Sequence, residues 1–113
     1  MTTNGTAPVA KDLAVESPRP MDETLEGYAW VPRMLDKARA SRAGTLGDYM
    51  YPCPIDQTCQ ARLGVDAETV ADLATTLDDA GVLAALRERG IPSAEEAWFD
   101  AVALEEELQA GSV

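Results

Sequence analysis

Apolar residues in this chain recur at helical spacing in short runs, and most runs are opened by a proline or a capping side chain and closed by a glycine. Val31, Met34, Leu35 and Ala38 fall at i, i+3, i+4 and i+7, one face of a helix. Pro32 suits its first turn, where a missing N–H costs nothing, and Gly44 stops it as a left-handed residue. Pro54 opens a second helix that ends at Gly64. Asp66 caps a third, with Val70, Leu73, Ala74 and Leu77 as its buried stripe and Gly81 as its stop. A shorter amphipathic piece runs through Val82, Leu83 and Leu86 to Gly90. Ser93 and Glu96 form a capping box for a last helix, whose stripe is Ala97, Ala101, Leu104 and Leu108 before Gly111. Another short helix is expected near Met21 to Gly27. No alternating strand pattern of useful length occurs. With 113 residues the chain can bury one core but not two. The expected fold is all-α, a compact single-domain bundle of five to six short helices.

The segments between helices are also patterned. Met1 to Lys11 is rich in Thr, Asn, Gly, Ala and Pro without periodicity and reads as a mobile tail, leaving residues 12–113 as the helical domain. Ser17-Pro18-Arg19-Pro20 is an extended connector, because each proline biases its predecessor away from helix. Residues 45–54, TLGDYMYPCP, read as an ordered Gly/Tyr/Pro loop or short extended piece that places Tyr49 and Tyr51 on one side.

Composition removes whole classes of chemistry. There is no histidine, so triad hydrolases, His-bearing zinc sites and haem held through His are excluded. Two cysteines, Cys53 and Cys59, cannot make a structural zinc site, and in a reducing cytosol they are expected as thiols. No metal and no cofactor is expected, and no phosphate-cradling glycine motif is present. The net charge of −11 repels phosphate backbones and anionic lipid, so neither nucleic acid nor membrane is an expected partner. No apolar run approaches the roughly 18 residues of a membrane span. The first residues also lack the features of a signal peptide, and a cytoplasmic location is expected.

Charge is unevenly spread. Most of the excess acid lies after residue 65, whereas Arg33, Lys37, Arg39 and Arg42 face only Asp36 within residues 33–42. Projected on a helix, Arg33, Asp36 and Lys37 share one face opposite Val31, Leu35 and Ala38. Two cations one turn apart suit a ligand carboxylate, with Asp36 orienting one of them; the competing reading is a solvated polar face. Cys53 falls at or beside a helix N-cap, with Asp56 three residues later where a capping-box acid would sit. That position favours a thiolate, though a small residue packed into a proline-bounded turn would look the same. Tyr28, Trp30, Tyr49 and Tyr51 lie in the same half of the sequence and suit either pocket walls or core. Trp98 and Phe99 read as anchors for the last helix.

The run LEGYAWVPRMLDKARASRAGTLGDYMYPCPIDQ resembles the small bacterial domain-of-unknown-function family numbered five thousand and sixty-nine. The resemblance is carried by Gly27, by Pro32, Arg33, Asp36, Lys37 and Arg39, by Gly47, Tyr49 and Tyr51, and by Cys53, Pro54, Ile55 and Asp56. Pro18-Arg19-Pro20 approximates an upstream Arg-x-Pro segment, and Glu96, Ala97 and Trp98 match more weakly. The family brings no established activity with it. Its pattern of Arg, Asp, Lys, Tyr and Cys implies a site rather than a solvated face. Glu26, Pro52 and the Gln57–Gln60 stretch depart from the pattern, which implies an altered pocket.

The function these residues point to is a small metal-independent enzyme acting on an anionic, carboxylate-bearing small molecule by acid/base chemistry. A lyase, isomerase, dehydratase or cyclase needs only positioned acids and bases. Arg33, Lys37 and Arg39, with Tyr28 and Trp30, would bind the substrate. Asp36, Asp56, Tyr49, Tyr51 and Cys53 would move its protons. The alternative is a non-catalytic interaction module, either a homodimer or a domain docking onto a basic partner.

Overall fold

The computed structural model describes residues 9–97, which form five helices and one two-stranded hairpin. The hairpin pairs β1 (Thr24–Leu25) with β2 (Tyr28–Ala29) in antiparallel register, Thr24 opposite Ala29 and Leu25 opposite Tyr28. It stands where a short helix near Met21 to Gly27 is expected from the sequence. The reason lies in the turn. Glu26 and Gly27 both take positive φ, 49° and 92°, which is the two-residue connection that matches strand twist and that a helix cannot accommodate. The hairpin delivers Tyr28, Ala29 and Trp30 into the core.

Helix α1 (Val31–Ala43) carries Pro32 in its first turn and ends at Gly44, whose φ of 76° is the left-handed stop expected for it. Helix α2 (Pro54–Leu63) ends at Gly64 in the same way. Helix α3 (Ala67–Thr76) is capped by Asp66, which accepts the Thr69 N–H at 2.8 Å. It ends at Thr76, five residues before Gly81. Asp78 there caps α4 (Asp79–Glu88) by accepting the Gly81 N–H at 2.8 Å, so Gly81 lies inside a helix rather than ending one. At α5 (Ala94–Ala97), Ser93 and Glu96 exchange the two bonds of the expected capping box, 2.9 and 3.1 Å. The remainder of the last helix expected from the sequence, with Trp98, Phe99, Ala101, Leu104, Leu108 and Gly111, falls outside the described residues, as do residues 1–8 of the expected tail. The fold is a mostly helical small domain. Among the described residues no helix is long and apolar enough to cross a membrane.

Helix α1 lies at the centre and packs mainly against α3, which contacts α2 and α4. Val31, Met34, Leu35 and Ala38 form the expected apolar stripe and meet Val70, Ala71, Ala74, Val82, Leu83 and Leu86. The opposite side is not solvated. Asp36, Lys37 and Arg39 are also buried, since the chain before the hairpin, α2 and the start of α4 close over them. A helix wrapped on every side places its charges where each needs a partner.

Candidate functional site

The charges of α1 divide into two groups. The first centres on Asp56 in the first turn of α2. Its carboxylate is fully buried and accepts three donors: Trp30 Nε1 at 2.7 Å, Lys37 Nζ at 2.8 Å and the Cys53 backbone N–H at 2.9 Å. Cys53 is the N-cap of α2, and its Sγ accepts the Asp56 N–H at 3.5 Å, completing the reciprocal box expected from the spacing. Lys37, 3% exposed, also lies 5.9 Å from the centre of the Trp30 ring. Trp30 is thus a hub, held at a φ of 73° that a large side chain rarely adopts.

Arg33 leans on the other side of this hub. Its guanidinium carbon lies 5.5 Å from the Trp30 ring centre and 5.7 Å from that of Tyr49, so aromatic faces flank the cation. Its Nη1 donates to the Arg19 carbonyl at 3.2 Å. Its Nε is buried and has no hydrogen-bond acceptor. Among the described residues no carboxylate pairs with Arg33, and the Tyr49 hydroxyl makes no hydrogen bond. The edge left over, Nε with Nη2, is the edge of a guanidinium that takes a carboxylate through two parallel bonds.

The second group lies around Asp36 and Asp79. Asp36 is not with Arg33 and Lys37, as the helix projection suggests, but turned to the segment before the hairpin. It accepts the Arg19 backbone N–H at 2.8 Å, Arg19 Nε at 3.1 Å and Arg19 Nη2 at 2.9 Å, and pairs with Lys11 at 3.2 Å. Asp79 binds Arg19 Nη1 at 2.6 Å and Arg39 Nη1 at 2.9 Å. Arg39 spends its other donors on the Ala74 and Leu77 carbonyls at the end of α3, a last turn with no basic residue of its own. Burial alone would lower the Arg19 pKa, but hydrogen bonds to Asp79 and Asp36 outweigh it and hold the guanidinium above its ordinary value. Burial likewise pushes Asp79 up, while Arg19 and Arg39 more than offset it and leave the carboxyl below its usual range. A depressed carboxyl stabilises the fold above the unfolded pKa of about 3.9, and that contribution is lost as pH falls through the folded value. Urea midpoints measured down an acid series should therefore drop from about pH 4 downward, and Asp79→Asn should flatten that limb.

The remaining candidates separate from both groups. Tyr28 is a core residue whose hydroxyl donates to the Pro92 carbonyl at 2.5 Å. Tyr51 does not share a partner with Tyr49. Its hydroxyl donates to the Ala67 carbonyl at 2.8 Å and accepts from Gln60 at 3.1 Å, and burial, followed by the charge of Asp56, raises its pKa. Cys53 and Cys59 are both free thiols, Cys53 half-buried and Cys59 fully buried with its pKa pushed up by burial. In the native protein a thiol reagent should therefore modify Cys53 quickly and Cys59 only on unfolding. Stoichiometric mass spectrometry checks this, and equal rates at the two sites would contradict it.

Hollows among the described residues include one of about 320 Å³ beside Val9, Lys11, Arg19, Asp36, Arg39 and Asp79, one of about 290 Å³ between Leu13–Ala14 and Gly47–Tyr49, and one of about 520 Å³ beside Tyr28, Arg87 and α5. None of the three is lined by Arg33, Lys37 or Cys53. What the structure brings together is Arg33, Trp30, Tyr49, Lys37, Asp56 and Cys53. Arg19, Lys11 and Asp79 are not among the site residues expected from the sequence, although Arg19 belongs to the Pro18-Arg19-Pro20 segment that carries part of the resemblance. The usable signal for Arg19 was a cation held between two prolines in a segment that cannot be helical.

No curated protein matches the chain at a significant level. A family model does match, over residues 15–100, which span the hairpin, the Tyr49 loop and both charge groups apart from Lys11, and the chain accordingly belongs to the family described as Domain of unknown function (DUF5069).

Proposed function

We propose that this protein binds a small carboxylate-bearing molecule at Arg33 and acts on it by acid/base chemistry, as a lyase, isomerase, dehydratase or cyclase that needs no metal or cofactor. The observation that carries the reading is the Arg33 guanidinium itself, flanked by Trp30 and Tyr49, without a carboxylate among the described residues and with a buried Nε that has no acceptor. A buried donor without a partner costs about 1–3 kcal/mol, a cost that a ligand oxygen removes. The Nε–Nη2 edge holds the carboxylate, and the Trp30 ring fixes the plane of the fork. The Asp36 and Asp56 carboxylates and the Tyr51 hydroxyl are each held by two or more partners within the protein, so proton transfer falls to the Tyr49 hydroxyl and to the Cys53 thiol, whose sulfur accepts the Asp56 N–H at 3.5 Å and keeps its own S–H to donate. Lys37 and Arg39 hold the scaffold rather than the substrate. The two free thiols favour a reducing compartment, and the cytoplasm of a bacterial cell is the setting proposed.

The test is a titration with benzoate followed by amide NMR, together with mass spectrometry of metabolites retained on purification. Arg33→Ala is expected to weaken benzoate binding about 30-fold or more, the loss of a charge-assisted bidentate contact. Arg33→Lys keeps the charge without the fork and should recover only part of it. Equal binding by wild type and Arg33→Ala would remove the anion site. The alternative module, a homodimer or a domain for a basic partner, would draw on the acidic face of α3, where Glu68 and Asp72 are 87% and 70% exposed. Concentration-dependent sedimentation with no carboxylate binding would favour it.

A further inference from the structure

We propose that residues 9–19 form an autoinhibitory strap over the Arg33 site, and that the carboxylate ligand binds as the strap lifts. The proposal rests on the reading of Arg33 as the ligand-holding group. Three groups enclose that guanidinium: the Trp30 ring, the Tyr49 ring and the Arg19 carbonyl. Trp30 is fixed from behind by Asp56. The other two depend on the strap. Arg19 is its last residue, and its carbonyl occupies Nη1 of Arg33. Tyr49 sits two residues beyond Gly47, against which the strap lies so closely that a Cβ at Gly47 would come within 2.8 Å of Ala14 Cα and 2.9 Å of Ala14 N.

The strap is fastened firmly at Arg19, through Asp36 and Asp79, and more lightly between Lys11 and Ser17. Leu13 is buried at its centre, and its N–H donates to the Thr45 carbonyl at 2.8 Å, while Thr45 Oγ1 donates to the Lys11 carbonyl at 2.8 Å. Asp12 closes a turn within it by accepting the Ala14 N–H at 3.0 Å. Lys11 and Arg19 pair with Asp36 at the two ends, and Arg19 reaches Asp79 as well. Between these fastenings the strap and the Tyr49 loop do not seal: Leu13 and Ala14 on one side and Gly47, Asp48 and Tyr49 on the other leave the hollow of about 290 Å³. Val9 and Val15 project from the strap almost fully exposed, so little apolar surface anchors it beyond Leu13 and Pro18. Tyr49 walls this hollow and also flanks Arg33, so on this proposal a carboxylate passes Tyr49 from the strap side, and the Lys11 ion pair that keeps the strap down reduces apparent affinity by the fraction of molecules in which it is closed.

The experiment uses the full chain with benzoate as probe and reads both the dissociation constant and the hydrogen exchange of the Leu13 amide. Lys11→Met removes a cation from this region, so charge alone predicts equal or weaker anion binding. The strap predicts the opposite, binding about twofold to fivefold tighter, the scale of one part-exposed ion pair. Gly47→Ala changes no charge and should also tighten binding by displacing Ala14. In wild type, saturation with benzoate should speed exchange of the Leu13 amide. If Lys11→Met and Gly47→Ala bind benzoate no better than wild type while Arg33→Ala loses it, the strap is refuted and the carboxylate site stands. If Leu13 stays equally protected with benzoate bound, the strap is likewise refuted. If Arg33→Ala binds as wild type does, the reading of Arg33 itself fails and the strap goes with it.

Discussion

Replacing Asp56 with alanine is expected to cost about 3–5 kcal/mol of folding stability, the range for breaking a buried ion pair from one side. The substitution leaves the Lys37 ammonium 3% exposed with no carboxylate, and deprives Trp30 Nε1 and the Cys53 N–H of their acceptor at the same time. A domain of this size has about 5–15 kcal/mol in total, so the variant should sit near the edge of folding at room temperature. Lys37→Met breaks the same pair from the other side and leaves the buried Asp56 carboxylate without its cation, yet it should cost less, because it removes one donor where Asp56→Ala strands three. Methionine fills the same volume without a charge, and Asp56 keeps two of its three donors. Urea denaturation of the two variants gives the ordering directly. A Lys37→Met variant as unstable as Asp56→Ala would show that the ion pair, rather than the convergence on Asp56, holds this region.

The second large effect is expected at Trp30. Its ring is 3% exposed and belongs to the core, so Trp30→Ala should cost about 3–5 kcal/mol through lost burial and the cavity left behind. It should also weaken benzoate binding, because Arg33 loses one of its two flanking rings and Lys37 loses its neighbour. Trp30→Phe separates the two roles. It keeps an aromatic face for Arg33 and removes the 2.7 Å bond to Asp56, with an expected cost of about 1–3 kcal/mol from the unpaired oxygen. Benzoate affinity that survives Trp30→Phe but not Trp30→Ala assigns stacking to the site and the indole N–H to the fold. Equal loss in both variants would contradict that division.

Helix ends were the part of this molecule most open to reading from residues alone. Pro32 with Gly44, Pro54 with Gly64, and the boxes at Cys53–Asp56 and Ser93–Glu96 each satisfy backbone groups within four residues, so no distant partner is needed to predict them. Where a local rule had a competitor it failed. Gly81 resembles a helix stop, but Asp78 caps a new helix through the Gly81 N–H, and the Met21 to Gly27 segment forms a hairpin because Glu26 joins Gly27 at positive φ.

The candidate site was legible as a list of residues and not as an arrangement. Arg33, Asp36 and Lys37 occupy one face on a helical projection, yet Arg33 meets two aromatic rings, Asp36 meets Arg19 and Lys37 meets Asp56. A projection assumes one buried stripe and one wet face, and α1 has no wet face along the turns that carry these charges. Each side chain then points to whichever element covers it, and those elements come from 17 and 19 residues away in the chain.

Sequence alone therefore determined the helical class, most helix ends, the exclusion of histidine chemistry and the residue types that could make a site. Tertiary structure alone decided which cation of α1 is left without a carboxylate among the described residues. Local hydrogen bonds and apolar periodicity are properties of neighbouring residues, whereas the partner of a buried charge depends on which distant segment displaces its water. Here those segments neutralise Lys37, Arg39 and Asp36 and leave Arg33 with a carbonyl, two rings and an empty edge.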